Sequence, residues 1–266
     1  MAKIGRVLII AGSDSGGGAG IQADIKTVTA LGAYAATAIT AITVQNTLGV
    51  SGIHEIPAGT VAAQMRAVLD DIGADAIKTG MLHSSAVIEA VCAELDRGAR
   101  NVPLVADPVM VAKGGARLID EGAMGALNAL LLPRAALVTP NVPEAEALTG
   151  LKIATREDMR RAAAALLALG PKAVLVKGGH LPGEQMHDLL ASAGTEMWFH
   201  SPRIETRHTH GTGCTLASAI AAGLAQGTDL QGAVARARDF VHEAIRTAPG
   251  FGKGHGPLNH MHGIKQ

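Results

Sequence analysis

Short runs of consecutive apolar residues alternate along the chain with longer stretches in which apolar residues recur at helical spacing. Arg6 to Ala11 is a continuous apolar run, which is typical of a strand buried on both faces of a sheet. From Ile21 to Leu31 the apolar residues instead recur every three or four positions, which predicts an amphipathic helix. This strand-then-helix order repeats and predicts an α/β fold with a mostly parallel central sheet and helices on both faces.

The same criteria give the remaining elements. Further strands are predicted at 34–44, 76–81, 103–106, 136–139 and 173–177, with a small flap at 49–56 and edge strands at 186–190 and 196–199. Predicted helices cover 61–72, 85–96, 120–132, 156–169, 214–226 and 230–247, the second of them capped by Ser84 or Ser85. No composition break, linker or internal repeat marks a second unit, so residues 1–266 are expected to form a single domain.

Charge and cysteine content narrow the possible partners and compartments. Lys plus Arg (23) equals Asp plus Glu (23), so no long polyanion such as nucleic acid is expected as a partner. The two cysteines, Cys92 and Cys214, are too few for a disulfide framework, and we interpret Cys92 as an ordinary core thiol. No apolar run reaches the ~18 residues that span a bilayer, and no signal peptide is apparent. We expect a cytoplasmic protein without a membrane partner.

The most informative stretch runs from Thr209 to Ala225, a glycine-rich turn that opens into a helix. Gly211 and Gly213 allow a tight turn and let a ligand approach the main chain. The helix start supplies unpaired N–H groups and the positive end of the helix dipole, a combination that binds phosphate. Cys214 lies where these groups point, so we expect its pKa to be lowered. An anion site with a built-in base suits phosphoryl transfer; the alternative is a tight loop before a buried helix.

A second glycine-rich loop, residues 12–20, follows the first strand and precedes the first helix. This order places a ligand site at the carboxyl end of a strand. The loop does not fit the dinucleotide fingerprint, and no Walker A sequence occurs in the chain, so nucleotide binding does not depend on either of these known phosphate-binding loops.

The loop at 12–24 and seven later motifs together resemble the hydroxymethylpyrimidine/phosphomethylpyrimidine kinases, which belong to the ribokinase-like superfamily. The seven motifs occupy residues 44–47, 78–81, 107–110, 139–144, 176–180, 211–214 and 252–257. The resemblance implies a ribokinase-like fold, a symmetric homodimer, and the use of ATP and Mg²⁺. It also implies two reactions of thiamine biosynthesis: phosphorylation of 4-amino-5-hydroxymethyl-2-methylpyrimidine, and phosphorylation of its monophosphate to the diphosphate. Cys214 stands where most of the superfamily has Asp, as in the pyrimidine-kinase branch.

The resemblance also assigns the residues of phosphoryl transfer. Four residues would bind the migrating phosphoryl group through their backbone N–H groups: Gly211, Thr212, Gly213 and Cys214. The Cys214 thiolate would take the proton of the alcohol, a role worth roughly 10²–10⁴-fold in rate. The alternative for Cys214 is a buried thiol that caps a helix.

Two carboxylates are candidates for holding Mg²⁺. Asn141 and Glu144 resemble the N-x-x-E element of the superfamily, which helps to hold the metal through water. Asp107 follows a predicted strand and is the second candidate. Glu144 could instead be a charge in the first turn of a helix, and Asp107 a loop carboxylate that bonds nearby backbone.

ATP is assigned to a separate group of residues. Lys177 follows a buried strand and could reach the phosphates as a point charge. Lys253 could do the same from the tail, or be a solvated surface lysine. The whole set predicted to bind ATP is Lys177, Thr139, Asn141, Gly178 and Lys253.

The pyrimidine is assigned to residues near the two glycine loops. Gln45 carries an amide whose donor and acceptor suit a ring nitrogen beside an amino group, although a strand-end hydrogen bond is the alternative. Asp24 could contact the same polar edge or face solvent. Ala19, Met81 and Val109 would sandwich the ring, and Met81 could equally be a core residue.

Three other functions are compatible with parts of the sequence. A pyridoxal kinase would share the fold and the chemistry, and the sequence separates it poorly from a pyrimidine kinase. A serine hydrolase is suggested by Asp14-Ser15-Gly16-Gly17, but no His or Asp precedes this segment, as a trypsin-like protein requires. A non-catalytic pyrimidine sensor would not need Cys214, Asn141 and Glu144. The histidines, among them His208 and His210 beside the turn, receive no role.

Overall fold

A nine-stranded sheet forms the centre of the protein in the computed structural model, which describes residues 4–111, 115, 118–120 and 122–264. The strands are β1 Arg6–Asp14, β2 Tyr34–Asn46, β3 Gly49–Glu55, β4 Ala76–Thr79, β5 Leu104–Ala106, β6 Leu137–Val138, β7 Ala173–Lys177, β8 Gln185–Ser192 and β9 Thr195–Pro202. Their order is β3-β2-β1-β4-β5-β6-β7-β8-β9. The six strands from β2 to β7 are parallel, whereas β3, β8 and β9 pair antiparallel at the two edges.

Helices cover both faces of this sheet. They are α1 Gly20–Ala30, α2 Ala58–Asp71, α3 Ser85–Gly98, α4 Ala123–Ala126, α5 Val142–Thr149, α6 Arg156–Leu167, α7 Thr212–Ala225 and α8 Leu230–Arg246. Along β1, Leu8 and Ile10 join the apolar core under α2 to α6, whereas Val7 and Ile9 join the core under α1, α7 and α8. Alternate side chains of a strand point to opposite faces, so an uninterrupted apolar run is what a doubly covered sheet requires.

The pattern-based prediction of a mostly parallel α/β fold is confirmed, with local differences. The predicted flap is β3, the antiparallel partner of β2. The predicted helix 120–132 is less regular, because α4 passes into a π-helical turn at Leu127–Leu131 and a 3₁₀ turn at Leu132–Arg134. Helix α5 was not predicted, and its eight residues are too few for a clear apolar repeat. Among the described residues, no helix is both long and apolar enough to cross a membrane.

Parallel strands bring their carboxyl ends to one edge of the sheet. The residues in or just after these ends are Asp14, Gln45, Met81, Asp107, Thr139 and Lys177. Five of the predicted site residues therefore lie along this edge, which is where open α/β sheets bind ligands: Gln45, Met81, Asp107, Thr139 and Lys177.

Candidate active site

The two glycine-rich loops meet at the start of α7. Gly211 precedes this helix with a φ of +83°, a left-handed conformation that glycine adopts without strain. A Cβ atom at Gly211 would overlap the carbonyl oxygen of Gly18 and lie 3.2 Å from the Cα of Ala19. Helix α1 starts at the next residue, Gly20. The amino ends of α1 and α7 are therefore adjacent, which brings Ala19, assigned to the ring, next to Gly211, assigned to the phosphoryl group.

Cys214 lies in the first turn of α7 and is half-buried. Loss of hydration raises the pKa of its thiol to about 11, although the ammonium of Lys78 and the N–H of Gly20 act in the opposite direction. The expectation of a lowered pKa is therefore wrong for this structure. The N–H that favours the thiolate belongs to Gly20 at the start of α1, and burial of the sulfur removes the water that would stabilise a thiolate.

A buried ion pair lies near the thiol. The ammonium of Lys78 contacts both carboxylate oxygens of Asp24, at 2.9 and 2.8 Å, and neither side chain is exposed to solvent. One of these oxygens also accepts a hydrogen bond from Ser218 at 2.7 Å. The prediction that Asp24 contacts the substrate or faces solvent is wrong, because its carboxylate is enclosed between α1, β4 and α7.

A second charged cluster lies in front of Gly213. The ammonium of Lys177 is 3.1 Å from Asp107 and 3.9 Å from Glu144. A Cβ atom at Gly213 would lie 3.3 Å from this ammonium and 3.5 Å from Asp107, so the turn and the cluster share one space. Burial raises the pKa of Glu144 to about 7, even though Lys177 opposes the rise. For Lys177, burial alone would lower the pKa, but the two carboxylates hold it above its usual value.

The N-x-x-E element forms the start of α5. The Asn141 side chain accepts from the N–H of Glu144 at 2.9 Å, and the Glu144 carboxylate accepts from the N–H of Asn141 at 2.8 Å. This capping box fixes the position of Glu144 beside Lys177. Glu144 is therefore a charge in the first turn of α5, as the alternative held, and the same geometry leaves its carboxylate facing Lys177.

Two residues predicted to bind ATP have other partners. Thr139 is fully buried, and its hydroxyl donates to Asp107 at 2.9 Å. The N–H of Gly178 donates to Asp188 at 2.9 Å. Thr139 therefore orients the Asp107 carboxylate, and its buried hydroxyl is not available to ATP as predicted, whereas Gly178 anchors β8 through its N–H and its contact with ATP stays a prediction. Lys253 is exposed in the tail, where its carbonyl oxygen accepts from Arg207 at 3.4 Å.

An apolar group lies above the charged edge of the sheet. Met81 packs with Ala41 and Leu118, and Val109 and Ile53 contact this group from partly exposed positions. Met81 is 7% exposed, and its methyl group fills the space that a side chain at position 12 would occupy. The core role of Met81 is thus observed, and Val109 presents the more accessible apolar surface.

Gln45 contacts His210, a histidine for which no role was predicted. His210 is buried, and its Nε2 atom is 2.9 Å from Asp14 and 3.3 Å from the Gln45 amide. The carboxylate of Asp14 also accepts from three backbone N–H groups of its loop, at 2.8 to 3.0 Å. Burial works to raise the pKa of Asp14, but the bonds from His210 and the loop hold it below its ordinary value. Asp14 followed by glycines is a turn signal that could have been used, whereas nothing local marks His210.

Comparisons with known proteins agree with this arrangement. The family model described as phosphomethylpyrimidine kinase matches residues 14–259. The thiamine biosynthesis bifunctional protein ThiED of Geobacter sulfurreducens is 56% identical over 97% of this chain, which spans about half (52%) of that longer protein. The hydroxymethylpyrimidine/phosphomethylpyrimidine kinase of Streptomyces coelicolor is 50% identical, with 96% of this chain and 93% of the relative covered.

Solved structures share the fold. A crystal structure of an ADP complex of Bacillus subtilis pyridoxal kinase superimposes with a TM-score of 0.90 at 37% identity, covering 97% of this chain and 98% of the other. The ribokinase-like fold and the kinase chemistry implied by the motifs are thus confirmed. The match extends over nearly all of the sequence, including both glycine loops and the charged cluster. The chain belongs to the phosphomethylpyrimidine kinase family.

Proposed function

We propose that this single-domain kinase transfers the γ-phosphoryl group of ATP to the hydroxymethyl oxygen of 4-amino-5-hydroxymethyl-2-methylpyrimidine, and then a second one to the resulting monophosphate. The observation that supports this proposal best is the convergence of three features at one edge of the sheet. These are the amino end of α7, the Cys214 thiol, and the cluster of Lys177 with Asp107 and Glu144.

Different groups of the chain would bind the phosphates and accept the proton during this transfer. The start of α7 would present the positive end of the helix dipole and the N–H groups of Gly213 and Cys214 to the migrating phosphoryl group, whereas the N–H of Thr212 donates to Thr209 at 3.4 Å. Lys177 lies within reach of the same space and can contact an ATP phosphate. Cys214 is the group proposed to accept the proton that leaves the alcohol. Because the thiol is protonated at neutral pH in the ligand-free protein, the ammonium of Lys78 is the nearby charge that favours its ionised form.

The carboxylates of Asp107 and Glu144 fit Mg²⁺. Both supply oxygen ligands, and the raised pKa of Glu144 indicates a buried carboxylate with too little positive charge around it. Among the described residues, no group of three His, Cys, Asp or Glu side chains could hold a metal. This agrees with an ion that keeps water and phosphate as most of its ligands. When bound, Mg²⁺ would neutralise charge on the phosphates of ATP.

The ring would lie between the apolar group at Met81 and Val109 and the backbone at Ala19, with the Gln45 amide at its polar edge. A release assay for ADP, run with the pyrimidine alcohol, its monophosphate and pyridoxal, tests this directly. We expect turnover with the first two at kcat/KM values well above that for pyridoxal. No turnover of the monophosphate would contradict the proposed second transfer.

Pyridoxal kinase activity is the second candidate, because the Bacillus subtilis pyridoxal kinase shares 37% identity and nearly the whole fold. The identity to a named pyrimidine kinase is higher, at 50%, and favours the pyrimidine. Ser15 would be the nucleophile of a serine hydrolase. Its hydroxyl instead donates to the carbonyl oxygen of Gln45 at 2.7 Å and accepts from the N–H of Gln45 at 2.9 Å.

We further propose a cytoplasmic homodimer. Ile42, Val44 and Leu48 are 41%, 62% and 68% exposed on and beside β2, near the flap. Exposed apolar side chains of this size favour burial against a second copy. Light scattering coupled to gel filtration measures the mass, and a monomer at micromolar concentration would contradict the dimer.

A further inference from the structure

The side chain of His210 lies between the carboxylate of Asp14 and the amide of Gln45. One atom, Nε2, is 2.9 Å from Asp14 Oδ2 and 3.3 Å from the amide atom of Gln45 that is placed as nitrogen. His210 and Asp14 are almost inaccessible, at 7% and 1% exposure, whereas Gln45 is half-buried. Because a single ring nitrogen faces both groups, its hydrogen decides which way round the amide is held.

The contact with Asp14 shows where that hydrogen is. Asp14 accepts hydrogen bonds from the N–H groups of Gly16, Gly18 and Ala19, which is the environment of an ionised carboxylate. A bare ring nitrogen 2.9 Å from Oδ2 would bring two lone pairs together, so Nε2 carries the hydrogen and donates it to Asp14. The amide atom of Gln45 that faces this N–H must then be an acceptor, the carbonyl oxygen.

The other end of the amide leads independently to the same assignment. Thr43 Oγ1 is 2.7 Å from the carbonyl oxygen of Ser13 and 3.1 Å from the Gln45 amide. A hydroxyl has one hydrogen, and a carbonyl can only accept, so Thr43 donates to Ser13 and can only accept from Gln45. The NH₂ group of Gln45 must therefore face Thr43. A half-turn of the amide exchanges its oxygen and nitrogen at no other cost, so hydrogen counting decides between them.

We infer that His210, held by Asp14, is a positioning residue that fixes the polarity of the Gln45 amide and so selects aminopyrimidines over oxopyrimidines. The inference rests on the proposed function, because it takes Gln45 as the contact for the ring. With the amide fixed, its oxygen keeps a lone pair for an exocyclic amino group, and its nitrogen keeps a hydrogen for the adjacent ring nitrogen. A 4-oxo ring in its lactam form presents the opposite pair, a ring N–H and a carbonyl, and would require the amide to turn.

The test compares kcat/KM for 4-amino- and 4-oxo-5-hydroxymethyl-2-methylpyrimidine. We expect the unmodified enzyme to prefer the amino compound by about a hundredfold or more, because the oxo compound leaves buried polar groups mismatched. His210→Met removes the N–H that faces the amide oxygen, so the amide can turn at the cost of its contact with Thr43 alone, and this preference should fall at least tenfold. His210→Gln should restore it, since its NH₂ group can donate to both Asp14 and Gln45. His262→Met is the matched control. His262 contacts the carbonyl oxygen of Phe240 instead, so the amino-to-oxo preference of this variant should equal that of the unmodified enzyme.

The outcomes separate the inference from the proposal beneath it. If His210→Met lowers kcat but leaves the amino-to-oxo preference unchanged, His210 has only a structural role and the inference is overturned. If Gln45→Ala changes neither the KM for the pyrimidine nor the preference, the ring contact itself fails and the inference falls with it. Should His210→Met not fold, as judged by circular dichroism, Thr43→Val releases the other end of the amide. Because His210 is kept in that variant, the preference should remain, and a fall of tenfold or more would show that Thr43 rather than His210 fixes the amide and would overturn the inference.

Discussion

Replacing Lys78 by Met should destabilise the protein strongly, because it leaves the carboxylate of Asp24 buried without its charge partner. Lys78 contacts both oxygens of Asp24 within 2.9 Å, both side chains are fully buried, and among the described residues Ser218 would remain as the hydrogen-bond partner of the carboxylate. Removing one member of such a pair costs about 3–5 kcal/mol, a large part of the ~5–15 kcal/mol that stabilises a typical fold. With a urea dependence of ~2–3 kcal/mol per M, the unfolding midpoint should fall by about 1–2 M.

Urea unfolding followed by circular dichroism measures this change, with two companion variants. Lys172→Met removes an exposed lysine and should shift the free energy of unfolding by less than ~0.5 kcal/mol. Asp24→Asn combined with Lys78→Met removes both charges and should recover much of the loss. The cost of Lys78→Met should also shrink towards pH 5, because the unpaired carboxylate can then fold in its neutral form. A midpoint within ~0.3 M of the unmodified protein would refute the reasoning.

Further substitutions test the site. Cys214→Ala should leave ATP binding nearly intact and lower turnover by about 10²-fold or more in the ADP-release assay; undiminished turnover would refute the base assignment. Gln45→Ala should raise the KM for the pyrimidine at least tenfold in the same assay, with the KM for ATP nearly constant. Gly211→Ala should lower the melting temperature, because its φ is +83° and its Cβ would overlap backbone; Gly59→Ala, in open space, should leave it unchanged or slightly raised, and equal melting temperatures would contradict this. Burial raises the pKa of Glu144 to about 7 in the metal-free fold, so its favourable contribution to stability is complete at low pH and is lost as the pH rises to about 7. Glu144→Gln should flatten that part of the curve of unfolding free energy against pH, and an unchanged curve would count against the buried site.

The apolar pattern predicted the sheet and most of its helices, because burial on two faces of a strand or one face of a helix leaves a local trace in the sequence. The position of Asp107 directly after a strand also followed from the order of the predicted elements. What the sequence could not provide is whether a polar side chain near the carboxyl ends of the strands faces the cleft or the core. Asp24 was assigned to the substrate, yet its partner Lys78 lies 54 positions further along the chain and encloses it.

The pKa of Cys214 and the role of His210 depend on similar long-range contacts. The helix-end argument considered only the N–H groups of α7, whereas the N–H that lowers the pKa of the thiol belongs to Gly20 of α1, and the burial that raises it depends on the packing of the fold. His210 and Asp14 are 196 positions apart in the sequence, and no local pattern predicts a hydrogen bond between them. Residues whose function is set by hydration or by a distant partner therefore remain beyond pattern-based prediction.

Helix α7 is buried along almost its whole length and is rich in small residues, and at Gly223 its backbone approaches Ala233 so closely that a Cβ atom would lie 2.9 Å from the Ala233 Cβ. A larger side chain at such a position would push the helix away from α8 and displace the phosphate-binding end with it. We therefore expect substitutions to be tolerated mainly around Val109 and β3, where the pyrimidine ring would bind. Substitutions there can then change which alcohol is bound without displacing the residues proposed to bind ATP.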